Sequence, residues 1–307
     1  MTVLVTGAAG FVGSALCRAL EADKVPVVCL VRDWLRGGPS FGKTLVFGDV
    51  LDGDLCRRII ADYEIDTVYH LAAQSIVSQC AEDPVTALEV AVVGTARLLQ
   101  AVRDSGRLIR CVVSTSDKAY GHAPSPYTES TPFDARHAYE VSKAAQDMTA
   151  RMFHHNYGVD VRVVRAVNIY GPGDPNNSRL IPQTAIRLLR GEPPLLHTGA
   201  GQMRRQYVYI DDIVWALRTV IAEGTAGEAY CVGSPDSPMS VLEVMRAMAE
   251  AAGVAFTAPE EKARDSRFQE IASQAVIDDK LRALGWSPSM SFACGIRETL
   301  DWYRSRP

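Results

Sequence analysis

The sequence predicts an α/β fold, a doubly wound parallel sheet with a smaller, interleaved C-terminal domain. Three observations predict it. Short β-branched runs alternate with helix-length segments through the first half of the chain, as strands and crossover helices do in a parallel sheet. Those runs are almost continuously apolar rather than alternating, which marks strands covered on both faces. Past about residue 170 the texture shifts to Pro, Gly and Asn in GPGDPNNSR, GEPP and HTGAGQ, with shorter helical patterns, which marks a second, smaller region.

In order, strands are expected at Val3–Val5, Val27–Val31, Thr44–Phe47, Thr67–His70, Cys111–Ser114 and Val161–Ala166. A helix is expected at Phe11–Ala22. Further helical periodicity falls at Ile181–Arg190, Ser240–Ala252 and Gly295–Tyr303, the last a closing helix. Tyr207–Ile210 and Ala229–Val232 read as short strands able to return to the first sheet. The expected division places 1–175 with about 206–235 in one domain, and about 176–205 with 236–307 in the other.

Composition narrows the function. With 307 residues, 47% apolar and 22% charged, the chain is long enough for a substantial core and unlike disordered or fibrous sequences. A formal charge of -4 and the lack of a basic run argue against polymeric nucleic acid as a partner. The seven cysteines are scattered without a CxxC pair, which suggests a reducing, cytoplasmic setting and no zinc or other metal. No uninterrupted apolar run approaches the length of a membrane span, and the apolar start lacks the basic leader of a signal peptide.

The first strand runs into VTGAAGFVG, with Gly7, Gly10 and Gly13 at the opening of the Phe11–Ala22 helix. Glycines there let the backbone turn tightly and approach a pyrophosphate, whose charge the free N–H groups of the helix start favour. This is the dinucleotide-binding arrangement of a Rossmann domain, with Phe11 and Val12 in its lining. The acid that would hold a ribose hydroxyl is replaced by Val31, followed by Arg32 and Asp33. Arg32 suits a 2′-phosphate and favours NADP, while Asp33 can serve a ribose hydroxyl as in NAD binding. Gly48-Asp49-Val50, after the third strand, can hold an adenine edge through Asp49 and Val50 or form only the turn that starts a helix.

Tyr139 and Lys143 stand four apart on one helical face in YEVSK. A nearby ammonium lowers a phenol's pKa, so the tyrosine can exchange a proton with a substrate hydroxyl while a hydride moves to a nicotinamide. Ser116, at the end of the strand in CVVSTSDKAYG, adds a third polar group where α/β sheets bind ligands. Taken alone, the adjoining Asp117–Lys118 pair reads as a solvated turn.

With these motifs the sequence resembles the extended short-chain dehydrogenase/reductases that act on nucleotide sugars. TGAAGFVG (6–13), GDV (48–50), HLAAQ (70–74), Ser116, YEVSK (139–143), NIYGPG (168–173), RRQYVYIDD (204–212) and IDDKLRALGWSP (277–288) follow in that family's order. The resemblance implies a catalytic Ser116, Tyr139 and Lys143, with Lys143 also on the nicotinamide ribose. It implies that Leu71, Ala72 and Ala73 line the cofactor. Ser75, Asn168, Arg179 and Arg205, with Arg264 or Arg267, are implied to hold the sugar nucleotide, the arginines through paired hydrogen bonds to phosphate. A homodimer through helices Pro84–Arg103 and Tyr139–Tyr157 is implied as well.

Within that family the acid after the serine resembles the 4,6-dehydratases, and Asp117–Lys118 resembles the CDP-glucose branch, where dTDP-glucose enzymes carry Asp-Glu. The expected reaction oxidises carbon 4 of the hexose, eliminates water across carbons 5 and 6, and returns the hydride to carbon 6. Asp117 is the expected acid and Lys118 the expected base. Asp117 must then keep its proton and Lys118 lose one, and an ion pair between them would oppose both. A nucleotide-sugar 4-epimerase of the same fold is the alternative, and a non-catalytic NADP-binding protein a further one.

Overall fold

The computed structural model describes residues 1–32, 44–263 and 271–305. The first half runs β1 (Thr2–Thr6), α1 (Phe11–Ala22), β2 (Val27–Val31), β3 (Thr44–Phe47), α2 (Gly53–Asp62), β4 (Ile65–His70), α3 (Val77–Glu82), α4 (Pro84–Leu88), α5 (Thr95–Asp104), β5 (Arg110–Ser116), α6 (Ala138–Tyr157) and β6 (Val161–Ala166). A π-helical turn, Glu89–Gly94, joins α4 to α5, and a 3-10 turn, Asp117–Tyr120, follows β5. The second half runs β7 (Asn168–Tyr170), α7 (Leu180–Leu189), β8 (Leu195–His197), β9 (Arg204–Arg205), β10 (Tyr207–Tyr209), α8 (Ile210–Glu223), β11 (Ala229–Val232), β12 (Met239–Ser240), α9 (Val241–Ala252), β13 (Glu260–Lys262), β14 (Ser273–Gln274), α10 (Asp279–Arg282) and α11 (Phe292–Arg304).

Seven strands form one parallel sheet in the order β11-β6-β5-β4-β1-β2-β3. The order reverses between β1 and β4, and ligands of open α/β sheets bind at the carboxyl ends of strands at such a switch point. Side chains alternate across the sheet, so consecutive apolar residues feed two cores. Val3 and Val5 join Leu16 of α1 and Ile213 and Leu217 of α8. Leu4 points the other way, into a cluster with Ile59 of α2, Leu98 of α5 and Phe153 of α6. Burial on both faces is what makes the strand sequences continuously apolar.

The six strands expected in the first half form, as do the expected helices. Ala229–Val232 returns to the large sheet beside β6. Tyr207–Ile210 does not: Tyr207–Tyr209 pairs with Asn168–Tyr170 in a separate two-stranded sheet, and Ile210 opens α8. A third sheet, β12-β9-β14, brings residues of the last third of the chain toward the end of β5. Six cysteines are buried as small apolar side chains, and Cys294 is exposed.

The helix that carries Tyr139 and Lys143 is anchored at both ends and along its flank. One Glu140 carboxylate oxygen accepts the Arg136 and His137 amides, 2.9 and 3.3 Å away, and caps the start. Gly158 ends it with φ 69°, a left-handed conformation that favours glycine. Buried Asp147 accepts two hydrogen bonds from buried Arg165 on β6, at 2.7 and 2.9 Å, and Arg165 also donates to the Tyr120 hydroxyl at 2.8 Å. Removing one partner of such a pair costs about 3–5 kcal/mol, so α6 is fixed against the sheet and the turn after β5.

Candidate active site

A cleft of about 1360 Å³ opens at the carboxyl ends of the strands. At its floor the glycine loop turns from β1 into α1. Gly7 has φ +68°, and a Cβ there would stand 2.8 Å from the Leu71 and Ala72 backbone. A Cβ on Gly13 would stand 2.2 Å from the Gly7 carbonyl oxygen, so the first turn of α1 packs directly on the loop. Both positions admit only glycine, and the cleft wall they leave is bare backbone at a helix N-terminus, which fits a pyrophosphate.

The expected cofactor residues meet here. Gly7, Gly10, Phe11, Val12 and Gly13 line one end, Arg32 lies exposed at the end of β2, and Asp49 and Val50 follow β3. Leu71, Ala72 and Ala73 complete this part of the wall. One Asp49 oxygen also accepts the Leu51 amide at 2.9 Å, the turn role that its position allows. Asp33, Arg264 and Arg267 lie outside the described residues.

Ser116, Lys118, Tyr139 and Lys143 line the middle of the same cleft. The Lys143 ammonium sits 5.9 Å from the centre of the Tyr139 ring, the side-by-side placement expected from their spacing. Burial pushes Lys143 down to about 8 and pushes Tyr139 up to about 12, with the Ser116 hydroxyl and the Arg179 guanidinium pulling the phenol back. Ser116 Oγ donates to Asp117 Oδ1 at 3.1 Å and accepts the Lys118 amide at 3.2 Å, so it caps the turn it begins.

Asp117 is no solvated turn residue. It is 1% exposed and does not itself line the cleft, and its second oxygen has no hydrogen-bond partner among the described residues. Burial raises its pKa, and the Lys118 and Arg205 charges oppose this shift without outweighing it. The Lys118 ammonium donates to the side-chain oxygen of Gln274 on β14. Sequence reasoning does not single out Gln274. The two residues are 156 positions apart, and a lone neutral amide carries no motif.

At the far end, Ser75, Asn168, Arg179 and Arg205 line the cleft. Arg179 makes two contacts of 3.1 and 3.0 Å to buried Asp174, which holds its guanidinium at the wall. Asn168 donates to the Gln206 carbonyl at 3.2 Å. Beside the cleft, His122, His137 and Glu140 bring possible metal-ligand atoms within 4.8 Å of one another, but Glu140 is already engaged as the helix cap.

Fold and cleft together define a dinucleotide-binding protein with a Ser-Tyr-Lys group beside the cofactor loop. The profile of the NAD dependent epimerase/dehydratase family matches residues 3–233, and the chain belongs to that family. A dTDP-glucose 4,6-dehydratase of Xanthomonas campestris pv. campestris is 33% identical over 98% of this chain and 93% of its own. Among solved structures, DesIV, a dTDP-glucose 4,6-dehydratase of Streptomyces venezuelae with NAD and TDP bound, superposes with a TM-score of 0.90 at 31% identity, covering 100% of this chain and 98% of that one. A UDP-glucose 4-epimerase of Thermotoga maritima with UDP-glucose superposes with a TM-score of 0.91 at 25% identity, covering 99% of each chain.

Proposed function

We propose that this chain is a nucleotide-sugar 4,6-dehydratase, converting an NDP-hexose into its NDP-4-keto-6-deoxyhexose. Its overall fold does not separate that reaction from 4-epimerisation, since a dehydratase and an epimerase superpose on it equally well. The observation that carries the reading is Asp117, a carboxyl that burial keeps toward its protonated form, hydrogen-bonded to the serine of the Ser-Tyr-Lys group. An epimerase has no use for an acid that can protonate a leaving hydroxyl.

When bound, the nicotinamide supplies the hydride acceptor for carbon 4 and the hydride donor for carbon 6. Tyr139 takes the proton of the carbon 4 hydroxyl, steadied by Ser116 and by the charge of Lys143. The resulting ketone acidifies carbon 5. Lys118 takes that proton, and Asp117, just behind Ser116 at the cleft wall, gives its own to the departing carbon 6 hydroxyl once the sugar is seated; Lys118 then returns its proton to carbon 5 as the hydride reaches carbon 6. Gln274 orients the Lys118 amine, and as a neutral acceptor it favours the charged form less than a carboxylate would. Arg179 and Arg205 meet the diphosphate. The small sheets and α7 and α9 form the sugar-nucleotide-binding part, interleaved with the larger domain.

The test is incubation with CDP-, GDP-, UDP- and dTDP-hexoses, read by mass spectrometry. A product lighter by one water is expected from one of them, and a product of unchanged mass would establish epimerisation instead. Lys118 stands where the resemblance places Glu in the dTDP-glucose enzymes, while relatives of 33% and 31% identity are dTDP-glucose 4,6-dehydratases, so the CDP- and dTDP-hexoses are the two substrates that the screen has to separate.

NADP is the proposed cofactor, because Arg32 borders the cleft at the end of β2, where its guanidinium suits a 2′-phosphate. Dinucleotide released from the denatured protein should carry the 2′-phosphate, and Arg32→Ala should weaken NADP binding about tenfold or more while leaving NAD nearly unchanged. Predominant NAD in the released fraction would reverse the assignment.

A cytoplasmic homodimer is also proposed. Within Pro84–Asp104 an 18-residue window has a mean hydropathy of 1.5, and only half of that window is buried within the chain. Its exposed Val85, Leu88 and Val93 lie near exposed Val141, Met148 and Met152 of α6, and a second copy of this face would cover both helices. Light scattering should give the mass of two chains, and Met148→Glu should give one.

A further inference from the structure

Behind the catalytic lysine lies a row of polar side chains with no contact to the solvent. Lys143 Nζ donates to Gln146 Oε1 at 3.0 Å, and Gln146 Nε2 donates to Thr95 Oγ1 at 3.2 Å. Thr95 Oγ1 lies 2.9 Å from His70 Nε2, and His70 Nδ1 lies 2.7 Å from Thr6 Oγ1. Thr6 Oγ1 finally accepts the Ala72 amide at 3.2 Å. Thr6 immediately precedes the glycine loop and Ala72 lines the cofactor end of the cleft, so the row connects the loop to the ammonium. Thr6, His70, Thr95 and Gln146 are completely buried.

Counting donors fixes the row at its lysine end. An ammonium can only donate, so the Gln146 amide must present its oxygen to Lys143 and its nitrogen to Thr95. Each threonine hydroxyl has one proton and two lone pairs, so a neutral His70 bridges Thr95 and Thr6 in either tautomer, one ring nitrogen donating and the other accepting. A neutral imidazole fits this pattern, and burial with the nearby Lys143 charge drives His70 down to about 3. The π-helical turn at Glu89–Gly94 ends at Thr95 and sets that hydroxyl between histidine and glutamine.

We propose that Gln146, backed by Thr95 and His70, is the positioning residue that holds the Lys143 ammonium charged and aimed at the cofactor side of the cleft. This rests on the reading of Lys143 as the partner of Tyr139. Lys143 forms no ion pair among the described residues. The titratable groups that face it are Cys80 from α3, His70 from β4 and Tyr139 from its own helix, and none is a carboxylate. Its charge therefore depends on two neutral acceptors, Gln146 Oε1 at 3.0 Å and the more distant Ser114 carbonyl at 3.5 Å.

The sequence holds only six lysines, so the side-chain carbons of Lys143 can be followed directly by NMR in the cofactor-loaded protein with labelled lysine, the Lys143→Met spectrum giving the assignment. Gln146→Met removes the acceptor at nearly constant volume and should lower the Lys143 titration midpoint by about one pH unit. Gln146→Glu supplies a charged acceptor and should raise it by a similar amount. Thr95→Val should move it in the same direction as Gln146→Met by less, and Thr95→Ser should restore it. These readings need neither substrate nor turnover, so they stand or fall apart from the dehydratase assignment. A midpoint that stays at the wild-type value in both Gln146 variants would overturn the proposal. If Gln146→Met does not fold, the opposite displacements in Gln146→Glu and Thr95→Val decide it alone, and two displacements of the same sign count against it.

Discussion

Replacing Tyr139 by Phe should lower turnover by about 10²- to 10⁴-fold while the bound dinucleotide stays in place. The change removes one oxygen from a residue that lines the cleft between Ser116 and Lys143, and it leaves the glycine loop that carries the pyrophosphate untouched. The sign of the pH dependence follows from the same group. Lys143 assists the phenol only while charged, and burial places its titration near 8, so turnover should fall as pH rises through that region. Steady-state rates from pH 6 to 10, with cofactor content measured on each sample, check both points. A Tyr139→Phe protein that turns over at the wild-type rate would remove the phenol from the mechanism.

The second large effect is a separation of half-reactions. Asp117→Asn keeps the shape of the side chain but takes away its transferable proton. Lys118→Met takes away the base and leaves the oxidation at carbon 4 unaided but intact. Each variant should bind cofactor, accept the hydride, and accumulate reduced nicotinamide that is not consumed, with loss of water slowed about 10²-fold or more. Near-ultraviolet absorbance after one mixing with substrate reads this directly. A wild-type rate of water loss in either variant would return that residue to a part in turn geometry.

The strands of the large sheet are legible in the sequence because burial on both faces forces continuous apolar runs, and nothing but such runs can fill two cores at once. Tyr207–Tyr209 is legible as a strand but not in its pairing. Three residues carry no record of which neighbour accepts their hydrogen bonds, and the separate sheet with Asn168–Tyr170 emerges only in three dimensions. The glycine loop and the Tyr-Lys spacing can be read because each is local: one turn, one helical face. Asp117 is legible by resemblance but its environment is not, since a charge that acts on it, Arg205 of β9, comes from a distant segment. Gln274 and Gln146 escape for the same reason. An amide changes no charge pattern, and its role appears only when a lysine is placed against it.

The Gln274 contact also ties two parts of the site together. β14 is paired to β9, so the acceptor of Lys118 travels with Arg205 on one small sheet. If Arg205 binds phosphate and Lys118 is the base, as proposed, both depend on the placement of one small strand pair, so a shift of β9 against the end of β5 would displace the arginine and the amide together.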